Sequence, residues 1–331
     1  MGELAVLGAG SWGTALALVL ARNGIRVRLW AHRPAQAAAL ARDGENRRYL
    51  PGTAFPDTLG VTDDLAAAVA GLRDILLVVP SHAFRATLRA LRPHLSADCR
   101  IAWATKGLDA ESGGLLHQVV AQELSPVPPM AVLSGPSFAR EVAAGLPTAV
   151  TIAADQPDFA RDLARAFHSE DFRPYTSTDL AGVELGGAVK NVLAIATGVS
   201  DGLGFGANSR AALITRGLAE VSRLAAHFQA ETHTLMGLSG MGDLILTCTD
   251  DQSRNRRFGL ALGRGESIEE ALEAIGQTVE GLRTADEVRQ LAAHTGVEMP
   301  ICHATWRLLR GELGPREAVH ALMERKIKPE F

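Results

Sequence analysis

The N-terminal half of the chain alternates short apolar runs with segments of helical periodicity. The apolar runs predict strands at 3–7, 26–30, 74–79, 100–104, 130–133, 148–153 and 172–176. The helical pattern predicts helices at 12–23, 34–43, 63–70, 82–92, 112–123, 137–144 and 156–168. Apolar strands that alternate with helices are typical of a parallel sheet covered on both faces. This half therefore predicts a doubly wound α/β domain with a mostly parallel sheet.

The pattern changes near residue 178. Beyond this point strand-like runs disappear, and glycine-rich breaks separate long helical patterns. These patterns predict helices at 179–199, 208–227, 267–276, 280–295, 301–311 and 315–325. We therefore predict two domains, an α/β domain over 1–178 and an all-helical domain over 179–331.

The first predicted strand leads into the sequence VLGAGSWG, a GxGxxG motif at the start of the first predicted helix. In such a motif Gly8 permits the tight turn, Gly10 lets a pyrophosphate approach the backbone, and Gly13 lets helix and strand pack closely. Free N–H groups at the helix N-terminus bind the phosphates. The context predicts a Rossmann-type dinucleotide site, with an ordinary β-α turn as the alternative.

The end of the second predicted strand, RLWAHRP, bears on the choice of dinucleotide. Sites selective for NAD place an Asp or Glu about 20 residues after the motif, where it binds the ribose 2′-OH. This segment has no acid, and Arg33 lies 20 residues after Gly13. An arginine suits a 2′-phosphate, so we expect NADP(H) to be accepted. A solvated surface arginine is the alternative.

Polar residues follow three further predicted strands. The strand ends read VVPSH with Pro80, WATKG with Lys106, and VLSGPSFA with Gly135 and Ser137. Ligands of open α/β sheets bind at the carboxyl ends of the strands. Lys106 is the one cation at these ends, so we expect it to bind an anionic group of substrate or cofactor rather than to be a surface lysine at a turn.

The segment GGAVKNVLAIA holds one charged side chain, Lys190, in an apolar helical pattern. Helical spacing places Gly186, Gly187 and Ala194 on its face, a strip of small residues that leaves room for a ligand. Burial lowers the pKa of a lysine, and a second cation such as Lys106 would lower it further, which allows proton donation near neutral pH. A lysine that reaches the surface or pairs with a carboxylate is the alternative.

Two later segments add polar groups to this predicted helical domain. In SGMGDLILTC, Asp243 is predicted to cap a helix, and Thr247 lies four residues on, on the same face. In DDQSRNRRFG the side chains of Ser253, Arg254 and Asn255 suit recognition of a phosphate. The two arginines that follow are predicted to be solvated. Glu280 begins another helix and is predicted to lie near the cofactor.

Composition limits the class of protein. The net charge of −4 gives no indication of binding to nucleic acid. The longest apolar stretch contains Glu184 and Lys190, which favours a buried helix over stable membrane insertion. Cys99, Cys248 and Cys302 follow neither a disulfide nor a metal-ligand pattern, so we expect reduced thiols and no metal. The first residues lack the basic region of a signal peptide, and we expect a cytoplasmic protein.

The motifs GAGSWG, VVPSH, WATKG, SGPSFA, GGAVKN, SGMGDL and TCTDDQSRNRRFG, followed by VEG, closely resemble those of the bacterial NAD(P)-dependent glycerol-3-phosphate dehydrogenases. They occupy residues 8 to 281, nearly the whole chain, in the order and spacing of that family. The resemblance implies reversible reduction of dihydroxyacetone phosphate to sn-glycerol 3-phosphate, which supplies glycerolipid and phospholipid synthesis. It implies NADP(H) or NAD(H) as cofactor.

The resemblance also implies roles for individual residues. Lys190 matches the proton donor and acceptor, Lys106 the lysine that contacts substrate and cofactor, and Asp243 with Thr247 the polar pair near the reacting centre. The predicted cofactor positions are Gly8, Gly10, Ser11, Trp12, Gly13, His32, Arg33, Pro80, Lys106, Ala139, Arg254, Thr278 and Glu280. The predicted substrate positions are Lys106, Gly135, Ser137, Lys190, Asp243, Ser253, Arg254 and Asn255.

The alternative within enzymes is another β-hydroxyacid or 6-phosphogluconate-type dehydrogenase, which also joins a Rossmann domain to helices. The segments WATKG and SRN disfavour it. A cofactor-binding sensor without turnover is disfavoured by the two lysines, Lys106 and Lys190. A homodimer is our expectation for a two-domain dehydrogenase of this kind.

Overall fold

The computed structural model of the protein describes residues 2–324. The chain divides into two compact units, Met1–Glu184 and Leu185–Phe331. The division lies a few residues beyond the predicted boundary at 178. The reason is that Val183 packs in a core cluster of the first unit and Glu184 binds the backbone of His117.

Over its described residues, 2–184, the first unit contains ten strands and the helices that cover them. The strands are β1 (Glu3–Leu7), β2 (Arg26–Trp30), β3 (Glu45–Asn46), β4 (Leu50–Ala54), β5 (Leu59–Thr62), β6 (Asp74–Leu77), β7 (Arg100–Trp103), β8 (Met130–Ser134), β9 (Thr148–Ala154) and β10 (Phe172–Ser177). The helices are α1 (Ser11–Arg22), α2 (Pro34–Asp43), α3 (Leu65–Val69), α4 (Ser81–Leu91), α5 (Leu116–Glu123), α6 (Ala139–Ala143) and α7 (Pro157–Phe167).

Eight of the strands form one sheet in the order β10-β9-β8-β7-β6-β1-β2-β5. Every pair is parallel except β8 with β9, which is antiparallel. The predicted doubly wound, mostly parallel sheet is therefore confirmed. The edge strand β5 and the small β3–β4 hairpin were not predicted, because these short, half-exposed segments carry no apolar run.

The sheet is buried on both faces, as the apolar strands predicted. On β1, Leu4 and Val6 enter one core cluster, and Ala5 and Leu7 enter the cluster on the opposite face. This is the alternation that a strand covered by helices on both sides requires. The two clusters hold the carboxyl ends of the central strands in fixed positions.

The second unit is helical throughout its described part, 185–324. Its helices are the rest of α8 (Leu180–Gly202), α9 (Gly206–His227), α10 (Thr232–Leu235), α11 (Asp243–Thr249), α12 (Arg254–Gly263), α13 (Ile268–Ile275), α14 (Glu280–Thr295), α15 (Pro300–Leu309) and α16 (Pro315–Met323). The helices α10 and α12 were not predicted. By length and composition alone α8 could cross a membrane, yet 83% of its apolar window is buried, as in a core helix.

Helices α8 and α12 pack backbone against backbone. A Cβ atom at Gly198 would meet the carbonyl oxygen of Arg256, and one at Gly259 would meet that of Ile195. Further along, Gly202 and Gly263 face each other in the same way. Glycine permits this close approach, which brings the N-terminal part of α12 next to the middle of α8.

Candidate active site

The turn between β1 and α1 is built as the three glycines of its motif predict. Gly8 has a φ of +123°, and a Cβ atom there would lie 2.6 Å from the Val78 carbonyl oxygen. A Cβ atom at Gly13 would collide with the carbonyl oxygen of Gly8. At Gly10 nothing lies within 4 Å of that position. Two glycines are thus required by packing, while the third keeps an open approach to the helix N-terminus, a cradle that fits a pyrophosphate.

Other predicted cofactor positions lie around this turn. Ser11 begins α1, and Pro80 follows β6, the strand that pairs with β1. His32 and Arg33 are exposed at the end of β2, where the N–H of Gly8 donates to the Trp30 carbonyl oxygen at 3.0 Å. The exposure of Arg33 is compatible with a 2′-phosphate ligand and with a solvated arginine alike.

Lys106 lies just beyond β7 and meets residues of two other segments. Its Nζ donates a hydrogen bond to the Gly135 carbonyl oxygen at 3.2 Å and lies 6.0 Å from the centroid of the Trp12 ring. Ser137 Oγ donates to the same oxygen at 2.9 Å. Ala139 begins α6 directly after this turn and is half-buried. The structure therefore brings Lys106, Gly135 and Ser137 together with the start of α1.

The loop that carries Lys106 is anchored by a buried ion pair that sequence reasoning missed. Arg85 donates two hydrogen bonds to the carboxylate of Asp109, at 3.2 and 2.8 Å, and a further one to Glu123. Asp109 also accepts from the N–H and hydroxyl of Ser112. Burial opposes ionisation of Asp109, but these hydrogen bonds outweigh it and lower its pKa. The loop after β7 is thus held in one conformation.

Lys190 is buried, with 8% of its surface exposed, and is held by two side chains of α11. Its Nζ donates to Asp243 Oδ1 at 2.5 Å and to Thr247 Oγ1 at 2.9 Å. Thr247 in turn donates to the Asp243 carbonyl oxygen at 2.6 Å. The predicted grouping of these three residues is therefore present. The carboxylate stabilises the ammonium form of the lysine.

Two details of this region differ from the prediction. Asp243 is the first residue of α11 and its side chain binds Lys190, so it does not cap the helix. Gly186 does not leave room for a ligand, because a Cβ atom there would lie 2.5 Å from the Ser239 carbonyl oxygen. The lysine pairs with a carboxylate, which spacing along one helix could not show.

Cys248 lies beside this group without taking part in it. Burial raises the pKa of its thiol to about 12, against smaller opposing effects of Thr197 and Lys190. Its thiol therefore stays protonated at neutral pH and is a poor nucleophile.

The predicted phosphate cluster divides into residues with different roles. Ser253 caps α12 by accepting a hydrogen bond from the N–H of Arg256 at 3.2 Å. Arg254 is half-buried, and its Nη1 lies 3.5 Å from Gln277 Oε1. Asn255 is buried and bonds to Asn191 Oδ1 and to the N–H of Gly281. Of the three, Arg254 is the side chain best suited to an anion.

The prediction that both following arginines are solvated was wrong for Arg256. Arg256 is 8% exposed, forms ion pairs with Asp201 and Asp251, and donates to the Cys248 carbonyl oxygen at 3.2 Å. Arg257 is exposed, as predicted. The buried guanidinium fixes the start of α12, which carries Arg254, against the ends of α8 and α11.

The last predicted cofactor positions lie at the start of α14. Thr278 is exposed, and Glu280 is half-buried as the first residue of the helix. Asn191, directly after Lys190, was not singled out from the sequence; it is buried and accepts a hydrogen bond from Asn255. Among the described residues, 2–324, no three His, Cys, Asp or Glu side chains converge as metal ligands.

Comparison with known proteins identifies relatives along the whole chain. The family model for the N-terminal part of NAD-dependent glycerol-3-phosphate dehydrogenase matches residues 3–160, and the C-terminal model matches residues 179–320. The chain is 58% identical to glycerol-3-phosphate dehydrogenase [NAD(P)+] of Halorhodospira halophila over 99% of its length and 98% of the relative. It is 63% identical to the Alkalilimnicola ehrlichii enzyme over 97% of each chain.

Solved structures agree with this. The glycerol-3-phosphate dehydrogenase of Coxiella burnetii superposes with a TM-score of 0.95 at 54% identity, covering 98% of this chain and 99% of that one. A ketopantoate reductase from Ralstonia eutropha has a TM-score of 0.59 at 18% identity, covering 96% of this chain and 100% of that one. The latter likeness shows a shared fold alone.

Proposed function

Because the chain belongs to the NAD-dependent glycerol-3-phosphate dehydrogenase family, we propose that it reduces dihydroxyacetone phosphate reversibly to sn-glycerol 3-phosphate. The observation that carries the proposal is the buried Lys190 held by Asp243 and Thr247. A buried ammonium of fixed position is the group that a ketone oxygen needs as it gains negative charge.

The residues of the β1–α1 turn fit a dinucleotide. We assign the pyrophosphate to the backbone of Gly10 and Ser11, and the adenosine end to His32 and Arg33. Lys106 would contact both cofactor and substrate. When bound, the reduced nicotinamide supplies the hydride for the carbonyl carbon.

Lys190 moves the proton of the reaction. Its ammonium donates a proton to the carbonyl oxygen of the ketone as the C–H bond forms, which gives the secondary alcohol and a neutral amine. In the reverse direction the amine accepts that proton. Asp243 and Thr247 orient Nζ by two hydrogen bonds, and the carboxylate favours return of the lysine to its charged form.

Arg254 binds the phosphate of the substrate in this scheme. Its guanidinium keeps its charge at all relevant pH values and can donate two parallel hydrogen bonds. The ion pairs of Arg256 hold the helix that presents it. Phosphate binding remote from the ketone then fixes the reacting atoms near Lys190, which lowers the entropic part of the barrier.

One kinetic comparison tests the proposal. The full chain is assayed with dihydroxyacetone phosphate and with each reduced cofactor, and separately with 6-phosphogluconate and short β-hydroxyacids with each oxidised cofactor. We expect turnover of dihydroxyacetone phosphate with NADPH and with NADH, and a kcat/KM at least about a hundredfold lower for the other substrates. Preferred turnover of a hydroxyacid would replace this proposal with the alternative.

We also propose a cytoplasmic homodimer whose product supplies glycerolipid and phospholipid synthesis. The three cysteines are free and buried, which suits a reducing compartment. Light scattering of the purified chain would test the dimer, and loss of glycerol 3-phosphate on depletion of the protein would test the supply role. A monomeric mass would remove the dimer without affecting the proposed reaction.

A further inference from the structure

The carbonyl oxygen of Ala9, in the middle of the turn between β1 and α1, accepts two side-chain hydrogen bonds. Gln36 Nε2 of α2 donates to it at 2.8 Å, and Asn46 Nδ2 of β3 donates at 3.2 Å. Both lone pairs of the oxygen are thereby used. Two side chains that lie 27 and 37 residues further along the chain therefore converge on one peptide group of this turn.

Asn46 is 1% exposed and is held in a single orientation. Its Oδ1 accepts from the backbone N–H of Tyr49 at 3.2 Å, and its Nδ2 donates to Thr14 Oγ1 at 2.8 Å as well as to Ala9. A backbone N–H can only donate, so the oxygen of the amide must face Tyr49. The NH₂ group is thereby turned toward the Ala9 oxygen and the hydroxyl of Thr14.

The peptide held in this way also carries the N–H of Gly10. The bond between Ala9 and Gly10 is trans, and in a trans peptide the C=O and the N–H point in opposite directions. The two amides that hold the oxygen of Ala9 therefore turn the N–H of Gly10 away from α2 and β3. This N–H makes no hydrogen bond with any residue between 2 and 324. A donor of this kind at the start of a helix suits an anion.

We propose that Asn46, together with Gln36, is a positioning residue for the dinucleotide, because by holding the carbonyl oxygen of Ala9 it aims the N–H of Gly10 at the pyrophosphate. The inference deepens the proposed function and rests on it for the identity of the ligand. The charge of the pyrophosphate strengthens the hydrogen bond, and a donor already in place binds without the cost of ordering the turn. Asn46 and Gln36 act through the peptide and do not themselves bind the cofactor.

The state of this one peptide can be measured by NMR. The pair Ala-Gly occurs four times in the chain, at 9–10, 70–71, 144–145 and 181–182. With ¹³C-carbonyl alanine and ¹⁵N glycine, a carbonyl-to-amide correlation shows those four peptides alone, and Gly10→Ala removes and so assigns the first. Asn46→Leu and Gln36→Met keep the approximate side-chain volume and lack the NH₂ group. Since a lost hydrogen bond moves a carbonyl carbon signal upfield, we expect an upfield shift of Ala9 in both variants.

Thr14→Val is the matched control, because it removes the other acceptor of the Asn46 NH₂ group and leaves the bond to Ala9. Its Ala9 carbonyl signal should stay near the wild-type position. The other three Ala-Gly signals must keep their positions in every variant, which shows that the variant is folded. Gln36 is half-buried, so Gln36→Met carries the test if Asn46→Leu does not fold. An Ala9 signal at the wild-type position in whichever of these two variants folds would overturn the proposal.

Binding measurements give the consequence for the cofactor. Adenosine 2′-phosphate lacks the pyrophosphate, so it serves as the reference ligand for NADPH. In Asn46→Leu we expect the Kd for NADPH, from fluorescence titration, to rise about tenfold, and that for adenosine 2′-phosphate, from competition, to stay within about twofold. Gln36→Met should raise the Kd for NADPH about threefold, because one of the two donors to Ala9 remains. An equal loss of affinity for both ligands would overturn the proposal, since it indicates disorder of the whole site.

Steady-state kinetics separate positioning of the cofactor from an effect on the chemical step. At saturating NADPH we expect the kcat of Asn46→Leu to stay within about twofold of the wild type, while the KM for NADPH rises. A fall in kcat at saturating NADPH without a rise in that KM would also overturn the proposal. A wild-type chain that binds neither NADPH nor NADH would count against the proposed function alone, because the carbonyl shift of Ala9 is measured without ligand.

Discussion

Lys106 and Lys190 were both assigned to chemistry from the sequence, yet the two units hold them by different means. Lys106 is half-buried after a central strand, and its Nζ bonds to a backbone carbonyl oxygen near the turn between β1 and α1. Lys190 is buried in a helix, and its Nζ bonds to side chains 53 and 57 residues away in sequence. The first site is made mainly of backbone at strand ends, and the second of side chains that only helix packing brings together. Substitutions should therefore act on binding in the first site and on the chemical step in the second.

The largest effect is expected for Lys190→Ala. The variant lacks both the proton and the positive charge opposite the ketone oxygen, so we expect kcat to fall by about a thousandfold. The dissociation constant for NADPH, measured by fluorescence titration, should change little, and the circular dichroism spectrum should match that of the wild type. Turnover within tenfold of the wild type would remove Lys190 from the proposed mechanism.

The next largest effect is a loss of stability, and it distinguishes two glycines of the turn between β1 and α1. In Gly13→Ala the new Cβ meets the carbonyl oxygen of Gly8, and we expect a loss of unfolding free energy of about 2–4 kcal/mol. In Gly10→Ala nothing lies within 4 Å of the new atom, so stability should be retained while the KM for the cofactor rises. Denaturant unfolding and steady-state kinetics measure the two effects. Equal stability of the two variants would contradict this difference between the glycines.

The same contrast explains which parts of the molecule could be predicted from sequence. The Gly8, Gly10 and Gly13 motif fixes a strand, a turn and a helix within a few residues, and sheet topology then brings the ends of β6, β7 and β8 together. Local pattern and a general rule of topology were therefore enough for the first site. The antiparallel pairing of β8 with β9 follows from neither, because periodicity does not give strand direction.

The second site depends on contacts that periodicity along one helix does not contain. Gly186 looked like space for a ligand because its neighbour across the fold, the Ser239 carbonyl oxygen, lies more than 50 residues away in sequence. Arg256 looked solvated because Asp201 lies on another helix. The resemblance to the family predicted the role of Lys190, but only the structure shows that the Asn255 amide bonds to Asn191 and Gly281.

Lys106→Ala tests whether the lysine of the first unit serves binding of the substrate rather than the chemical step. Its Nζ donates to a backbone oxygen and lies near an aromatic ring, and its loss removes a positively charged ligand group from the first unit. We expect the KM for dihydroxyacetone phosphate to rise about tenfold or more, the value of one charge-assisted hydrogen bond, with a smaller change in kcat. A fall in kcat as large as that of Lys190→Ala would show that both lysines serve the chemical step.

Arg33→Ala tests the one side chain on which cofactor choice was predicted to depend. Arg33 is exposed at the end of β2, where a 2′-phosphate contact would be partly screened by solvent. We expect the ratio of kcat/KM for NADPH over NADH to fall by about threefold to tenfold, in proportion to a contact of about 1 kcal/mol. Arg257→Ala, at another exposed arginine, is the control. An unchanged ratio would mean that Arg33 is a solvated arginine.

The smallest effect concerns the start of α8, which the first unit holds by a histidine-carboxylate pair. Glu184 accepts hydrogen bonds from the N–H of His117 at 2.9 Å and from its Nδ1 at 2.5 Å. Burial opposes protonation of His117, but the hydrogen bond and charge of Glu184 outweigh it, so the pKa of His117 is raised. A raised pKa contributes stability that is fully present below the unfolded pKa of about 6.5 and is lost as pH rises through the folded value.

Glu184→Gln should therefore lower the free energy of unfolding more at pH 6 than at pH 9. We expect the loss at pH 6 to exceed the loss at pH 9 by about 1 kcal/mol or less. Urea unfolding at both pH values measures it. Glu324→Gln is the matched control, since the pair that Glu324 forms with His320 has both side chains about two-thirds exposed. A loss that is the same at both pH values would show that Glu184 acts on His117 through a neutral hydrogen bond only. The charge of this residue would then contribute nothing to anchoring the helix that carries Lys190.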